Sequence, residues 1–116
     1  MDGQREFPRR DANVPVRWRR QGDNPFITTD IACDISKGGM CLMINEQVAS
    51  GEMLDVEIEL SGERLILSTV KVIRCFECRE AHQGVLKRYK AGVEFVSIRE
   101  QDGTEIERFV FASFFT

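Results

Sequence analysis

Leu54, Val56, Ile58 and Leu60 occupy every second position of one stretch, with Asp55, Glu57 and Glu59 between them. Successive side chains of an extended strand point to opposite faces, so a beat of two predicts a strand with one apolar and one wet side. The beat recurs where Val14, Val16 and Trp18 alternate with Pro15, Arg17 and Arg19, and where Tyr89, Ala91, Val93 and Phe95 alternate with Arg88, Lys90, Gly92 and Glu94. In residues 30–36 the same period sends Ile31, Cys33 and Ile35 inward and leaves Asp34 and Ser36 side by side on the outer face. Met40, Leu42 and Ile44 resume it in a returning strand after Lys37-Gly38-Gly39. Further turn signals stand at Gln21-Gly22-Asp23-Asn24-Pro25, Ser50-Gly51, Ser61-Gly62-Glu63 and around His82-Gln83-Gly84, which divides the chain into roughly six antiparallel strands.

Short strands, short connections and no interleaved helices predict a mainly β fold, a small six-stranded antiparallel barrel whose closure removes exposed edges. The period changes after Arg99. Ile106, Phe109, Val110 and Ser113 recur at helical spacing, which predicts one C-terminal α-helix. Ser97 with Glu100 fits a capping box, and Thr104 is a second candidate start because Gly103 weakens a helix running through it. The expected organisation is one domain: an arginine-bearing arm over 1–11, the barrel over 12–97 and the helix over 98–116. Phe109, Phe111, Phe114 and Phe115 offer more aromatic surface than one stripe needs, enough to cover a barrel end or to meet a second protein, with packing on the barrel the plainer reading.

A length of 116 residues, 42% hydrophobic and 30% charged, fits a single compact core. No apolar run approaches the ~18 residues of a membrane span, and Met1–Arg5 lacks the apolar stretch of a secretory signal, so a cytoplasmic protein without membrane insertion is expected. The net charge of −3 disfavours a nucleic-acid polymer as partner. The first twenty residues, however, hold six arginines against three acids, a local excess suited to a small anionic ligand. Cys33, Cys41, Cys75 and Cys78 include one Cys-Phe-Glu-Cys pair, but their spacing with the single histidine, His82, matches no common zinc motif. They read as small buried hydrophobes kept reduced, with no metal.

The chemistry concentrates in Gln4-Arg5-Glu6-Phe7-Pro8-Arg9-Arg10 and Asp34-Ile35-Ser36-Lys37-Gly38-Gly39. The planar fork of an arginine grips a phosphate or the O6/N7 edge of guanine with two bonds at once, which a lysine does not. Pro8 disfavours a helix and holds Phe7 extended, so Arg5 and Arg9 are expected in a loop, on the order of 13 Å apart at ~3.3 Å per residue. That reach suits a ligand with several phosphate and base groups. Each residue also has a plainer role: the arginines as a solvated basic tail, Asp34 or Ser36 as a cap on the turn at Gly38, and Gly39 as a position needing positive φ. Arg10, Lys37, Gly38 and Arg74 are second-rank candidates, and Arg74 shares its face with Val70 and Val72, which leaves its direction open.

An RxxxR segment before the first strand, a DxSxxG segment at the second, a later Gly92-Val93-Glu94-Phe95 strand and a terminal helix together resemble the PilZ domain family over almost the whole chain. That resemblance implies cyclic di-GMP as ligand, with no cofactor, held by Arg5, Arg9, Asp34, Ser36 and Gly39. In similar domains the residue before the first motif arginine bears on whether one ligand or a stacked pair is bound; Gln4 here leans toward one. No nucleophile stands beside a general base and no Gly-Lys-Ser/Thr phosphate loop is present, so a non-catalytic receptor is expected. Its output would pass to an effector protein or through a homodimer, since the sensor domain fills the chain. The alternative is a ligand-independent adaptor in motility or surface-attachment machinery, against which the intact arginine pair argues. A barrel for single-stranded nucleic acid is disfavoured by acidity and a single Trp.

Overall fold

The computed structural model describes residues 7–22, 28–61, 64–78 and 88–112. Within them run six strands, β1 (Arg9–Arg20), β2 (Thr28–Ser36), β3 (Gly39–Ile44), β4 (Met53–Ser61), β5 (Arg64–Cys78) and β6 (Arg88–Ser97), and then one helix, α1 (Glu100–Ala112). Every pairing is antiparallel, and the strands close in the order β1-β2-β3-β6-β5-β4. The expected mainly β, six-stranded barrel with a C-terminal helix is therefore the fold of the chain.

Alternation fills the interior: Val14, Val16, Trp18, Met40, Leu42, Ile44, Leu54, Val56, Ile58, Ala91 and Val93 are all buried. Trp18 is completely enclosed, and its indole N–H donates to the Asp30 carboxylate at 2.9 Å. This satisfies the one polar group that the ring carries into the core.

Five one-residue irregularities interrupt the ladders, and those in β2 and β5 set which way the candidate residues face. In β2, Ala32 pairs with Leu42 and Asp34 with Cys41, so Cys33 is an extra residue opposite β3. A bulge shifts the inward phase by one. Ala32 and Ile35 consequently enter the core, whereas Ile31 and Cys33, expected there, are only partly buried. In β5, Ile73 is the extra residue between the Val72–Val93 and Arg74–Gly92 pairs. Val70 and Val72 face inward while Arg74 is exposed, which resolves its direction. A third shift lies in β1 between Asp11 and Val14.

The helix packs on β1 and β2 through Ile106 and Val110. It begins at Glu100, with the Arg99 carbonyl accepting from the N–H groups of Asp102 and Gly103 at 2.9 and 3.0 Å. Ser97 belongs to β6 and its carbonyl accepts from the Ser68 hydroxyl at 2.6 Å, so the capping box does not form. The helix runs through Gly103, and Thr104 lies inside it with its hydroxyl donating to Glu100 O at 3.1 Å. Ser113, Phe114 and Phe115 lie outside the described residues.

Gly39 opens β3 where it pairs with Glu94 of β6. A β-carbon there would run into the Val93 carbonyl and stand 2.9 Å from Glu94 Cα. Gly39→Ala is therefore expected to cost at least the ~1–3 kcal/mol typical of overpacking, because backbone rather than a yielding side chain is in the way. A β-carbon at Gly92 would meet nothing closer than Arg74 Cγ at 3.8 Å. Denaturant unfolding should show Gly92→Ala near the parent midpoint and Gly39→Ala well below it.

Candidate functional site

β2 and β3 are joined by Lys37 and Gly38 alone. The Ser36 hydroxyl clamps this turn, accepting from the N–H groups of Gly38 at 3.1 Å and Gly39 at 3.2 Å and donating to Gly39 O at 3.3 Å. It is 3% exposed, so the serine expected on the outer face sits beneath the turn and performs the capping role. Among the described residues positive φ occurs only at Gly22 and Gly51 among glycines and at no other residue type. Gly39 is required by the closeness of β6, not by a left-handed backbone.

Arg9 pairs with Ser36 and Asp11 with Asp34 in the β1–β2 register. The second motif arginine thus opens a strand instead of lying in a free loop. Its Nη1 donates to Asp34 Oδ1 at 2.6 Å, with the two side chains 25% and 18% exposed. Asp34 is thereby engaged by the arginine, twenty-five positions away in sequence. The Arg9 Nε is buried and makes no hydrogen bond among the described residues. A buried donor without an acceptor is uncommon in folded proteins and calls for an explanation.

An open cavity of about 480 Å³ lies against this pair, walled by Phe7, Arg9, Ser36, Gly38 and Gly39 on one side and by Ile73, Arg74, Gly92, Val93, Glu94 and Phe95 on the other. Gly92 contributes no side chain to the floor, so the trough stays open beside Arg74. Phe7 also borders a second cavity of about 550 Å³ that reaches Arg99, Glu100 and Gly103 at the start of the helix. Its ring stacks on Gly38, where a β-carbon would come within 2.9 Å of Cδ2.

The remaining sequence candidates separate. Gln4 and Arg5 lie outside the described residues. Arg10 turns away from the cavity: its Nη1 donates to Phe109 O at 2.8 Å and its guanidinium lies 4.1 Å from the centre of the Phe109 ring, so it ties β1 to the helix. Lys37 is exposed, 4.0 Å from Glu107 and 6.0 Å from the Phe7 ring centre. The cationic excess of the first twenty residues is largely matched across the barrel. Arg17 pairs with Glu57, Arg19 with Asp55 at 3.2 Å, and Arg20 with Glu46 and Glu52 at 2.7 Å each.

A family model described as the PilZ domain matches residues 3–112. The chain belongs to the PilZ domain family. No curated protein matches it by sequence, but the PilZ fold recurs in solved structures. The Bacillus subtilis inhibitor of motility MotI/DgrA superposes with a TM-score of 0.78 at 21% identity, covering 97% of this chain and 52% of that one. The PilZ domain of YcgR from Escherichia coli, solved with c-di-GMP, gives 0.73 at 16% identity over 94% of this chain and 90% of that one. The MrkH–c-di-GMP complex of K. pneumonia gives 0.74 at 18%, covering 97% and 53%. The chain thus spans about half the length of MotI/DgrA and MrkH. No helix among the described residues is long and apolar enough to cross a membrane.

Sequence reasoning missed six wall residues of this PilZ barrel, Phe7, Ile73, Gly92, Val93, Glu94 and Phe95. Alternation in β6 does place Gly92 and Glu94 together on the outer face, so their position was readable; that β3 would lie beside them was not. The cysteines depart from expectation in burial, since all four, free thiols, are only half-buried. Cys33 Sγ donates to Cys41 O at 3.4 Å. Desolvation, then the hydrogen bond and charge of Cys33 beside it, push the Cys41 thiol from 9.0 up to about 12.

A folded-state pKa above the unfolded value means the native protein holds this proton more tightly. The resulting stability is intact below pH 9 and is lost as pH rises toward 12. Cys41→Ala should flatten the alkaline slope of unfolding free energy in that interval, read by denaturant titration at stepped pH against Cys75→Ala as reference.

Proposed function

We propose that the chain is a non-catalytic receptor for cyclic di-GMP, which Arg5, Arg9, Asp34, Ser36 and Gly39 bind and whose presence is passed to a partner protein. The observation that carries this reading is the Arg9 side chain. Asp34 fixes one end of its guanidinium while the buried Nε remains without an acceptor, at the wall of an open cavity. A volume of about 480 Å³ falls among those of small-ligand sites, about 300–1,000 Å³.

The ligand carries two phosphodiester charges and two guanines. Phosphate oxygens can accept from the part-exposed guanidinium of Arg9, and Arg74, exposed on the opposite wall, offers a second fork for a phosphate or a guanine O6/N7 edge. Glu94 adds a carboxylate that can accept from guanine N1–H and N2–H. Ser36 and Gly39 act through the turn, by holding β3 close to β6 so that the ligand meets backbone at short range. The c-di-GMP in the YcgR and MrkH structures, on the same fold, supports the choice of ligand. Gln4 in front of Arg5 favours one dinucleotide per domain.

Calorimetric titration with cyclic di-GMP is the test, and absence of heat with the parent protein would leave the adaptor reading in its place. Arg9→Ala is expected to weaken binding by about 1–3 kcal/mol, roughly five- to 150-fold, without unfolding the barrel. Arg10→Ala should leave affinity near the parent value and lower the melting temperature instead, because its contacts are with Phe109 of the helix.

A further inference from the structure

Cys33, Asp34 and Cys41 come together because of the bulge. With Cys33 inserted, two consecutive residues of β2 oppose Cys41 alone on β3, and none of the three is fully buried. The two thiol sulfurs and a carboxylate oxygen of Asp34 all lie within 4.8 Å of one another. Tetrahedral zinc with Zn–S bonds of about 2.3 Å sets its sulfurs about 3.8 Å apart. Rotamer-scale adjustment closes that difference.

We propose that these three side chains form a binding site for a thiophilic divalent cation of the Zn²⁺ class, with water at the fourth position. Binding releases the two thiol protons, and the ion replaces them without changing the formal charge of the site. A donor set of two thiolates and a carboxylate carries −3, which the ion at +2 nearly balances. Arg9 lies against Asp34, where Nη1 holds Oδ1, the outer-shell hydrogen bond that ligating carboxylates commonly accept. Soft thiolates select zinc or cadmium over magnesium and calcium. The inference goes beyond the nucleotide reading and stands whether or not that reading holds.

The test is titration of the reduced full chain with Co²⁺ as spectroscopic probe, followed by displacement with Zn²⁺. One equivalent should give thiolate-to-cobalt charge-transfer bands and the visible absorption of a tetrahedral ion, and Zn²⁺ should abolish both. The spectrum should persist in C75A/C78A, which removes the other cysteine pair, and disappear in C33S and in C41S, each checked for native circular dichroism. Asp34→Asn should reduce cobalt affinity by at least the roughly 10–100-fold that loss of an outer-shell partner causes. Absence of thiolate bands in the parent chain overturns the proposal, as does a spectrum that survives in both C33S and C41S and vanishes in C75A/C78A. Should both serine variants misfold, cadmium titration of the parent followed by mapping of protected thiols decides the matter: protection of Cys33 and Cys41 supports the site, and protection of Cys75 and Cys78 refutes it.

Discussion

The approach of β3 to β6 at Gly39 is the constraint on which the rest of the structure depends. These strands are distant in sequence, and their pairing joins the β1-β2-β3 meander to the β4-β5-β6 set along one seam. The Val93 carbonyl and Glu94 Cα occupy the space a side chain at position 39 would need. The backbone N–H of Phe95 donates to Gly38 O at 2.9 Å just beyond the seam. With Ser36 clamping the turn from below, the outer surface over the seam becomes a trough whose walls are Arg9 and the turn on one side and β5 and β6 on the other. One missing side chain thereby serves both the closure of this seam and one wall of the cavity.

Among the arginines of β1, electrostatics then singles out one. Three arginines of β1 are matched by acids of β4 and of the segment before it, in pairs partly open to solvent that contribute little stability each. Arg10 is used by the helix. Arg9 is held by a single carboxylate at one end, with its Nε still seeking an acceptor. An arginine already oriented by an aspartate loses little side-chain entropy when an anion arrives, which favours affinity through preorganisation. The concentration of arginines in the sequence exaggerates the positive potential at the site, because chain proximity says nothing about which strand lies alongside.

What could be read from sequence follows the range of the interaction that determines it. Strand identity, the terminal helix and the fold class rest on local periodicity, and these were legible in Leu54–Leu60, Val14–Trp18 and Ile106–Val110. Bulges were not, because an extra residue is defined by the partner strand. The inward phase fails at Ile31 and Cys33, where Asp34 meets Cys41 across the ladder, and the direction of Arg74 stays undetermined until Ile73 is seen to be unpaired. Gly39 shows the same limit differently. Its glycine identity was attributed to a local backbone requirement, whereas the cause is β6, more than fifty residues later. For the candidate site, Arg9, Asp34, Ser36 and Gly39 were found together, while Glu94 was seen as a strand residue without its neighbour across the seam.

The bulge at Cys33 has a last consequence, because the proposed metal site and the proposed nucleotide site would share one carboxylate. Asp34 holds Arg9 through Oδ1, so its other oxygen, Oδ2, would serve the cation proposed between Cys33 and Cys41. Exchange of two protons for one divalent ion leaves the formal charge unchanged, so a bulk field does not connect that cation to the anion-facing side of Arg9. The link is the carboxylate itself: a metal on Oδ2 withdraws electron density from Oδ1 and loosens its hold on the guanidinium. Whatever that does to a ligand gripping Arg9, the ligand must do in equal measure to the metal, since coupling between two bound species is reciprocal in free energy.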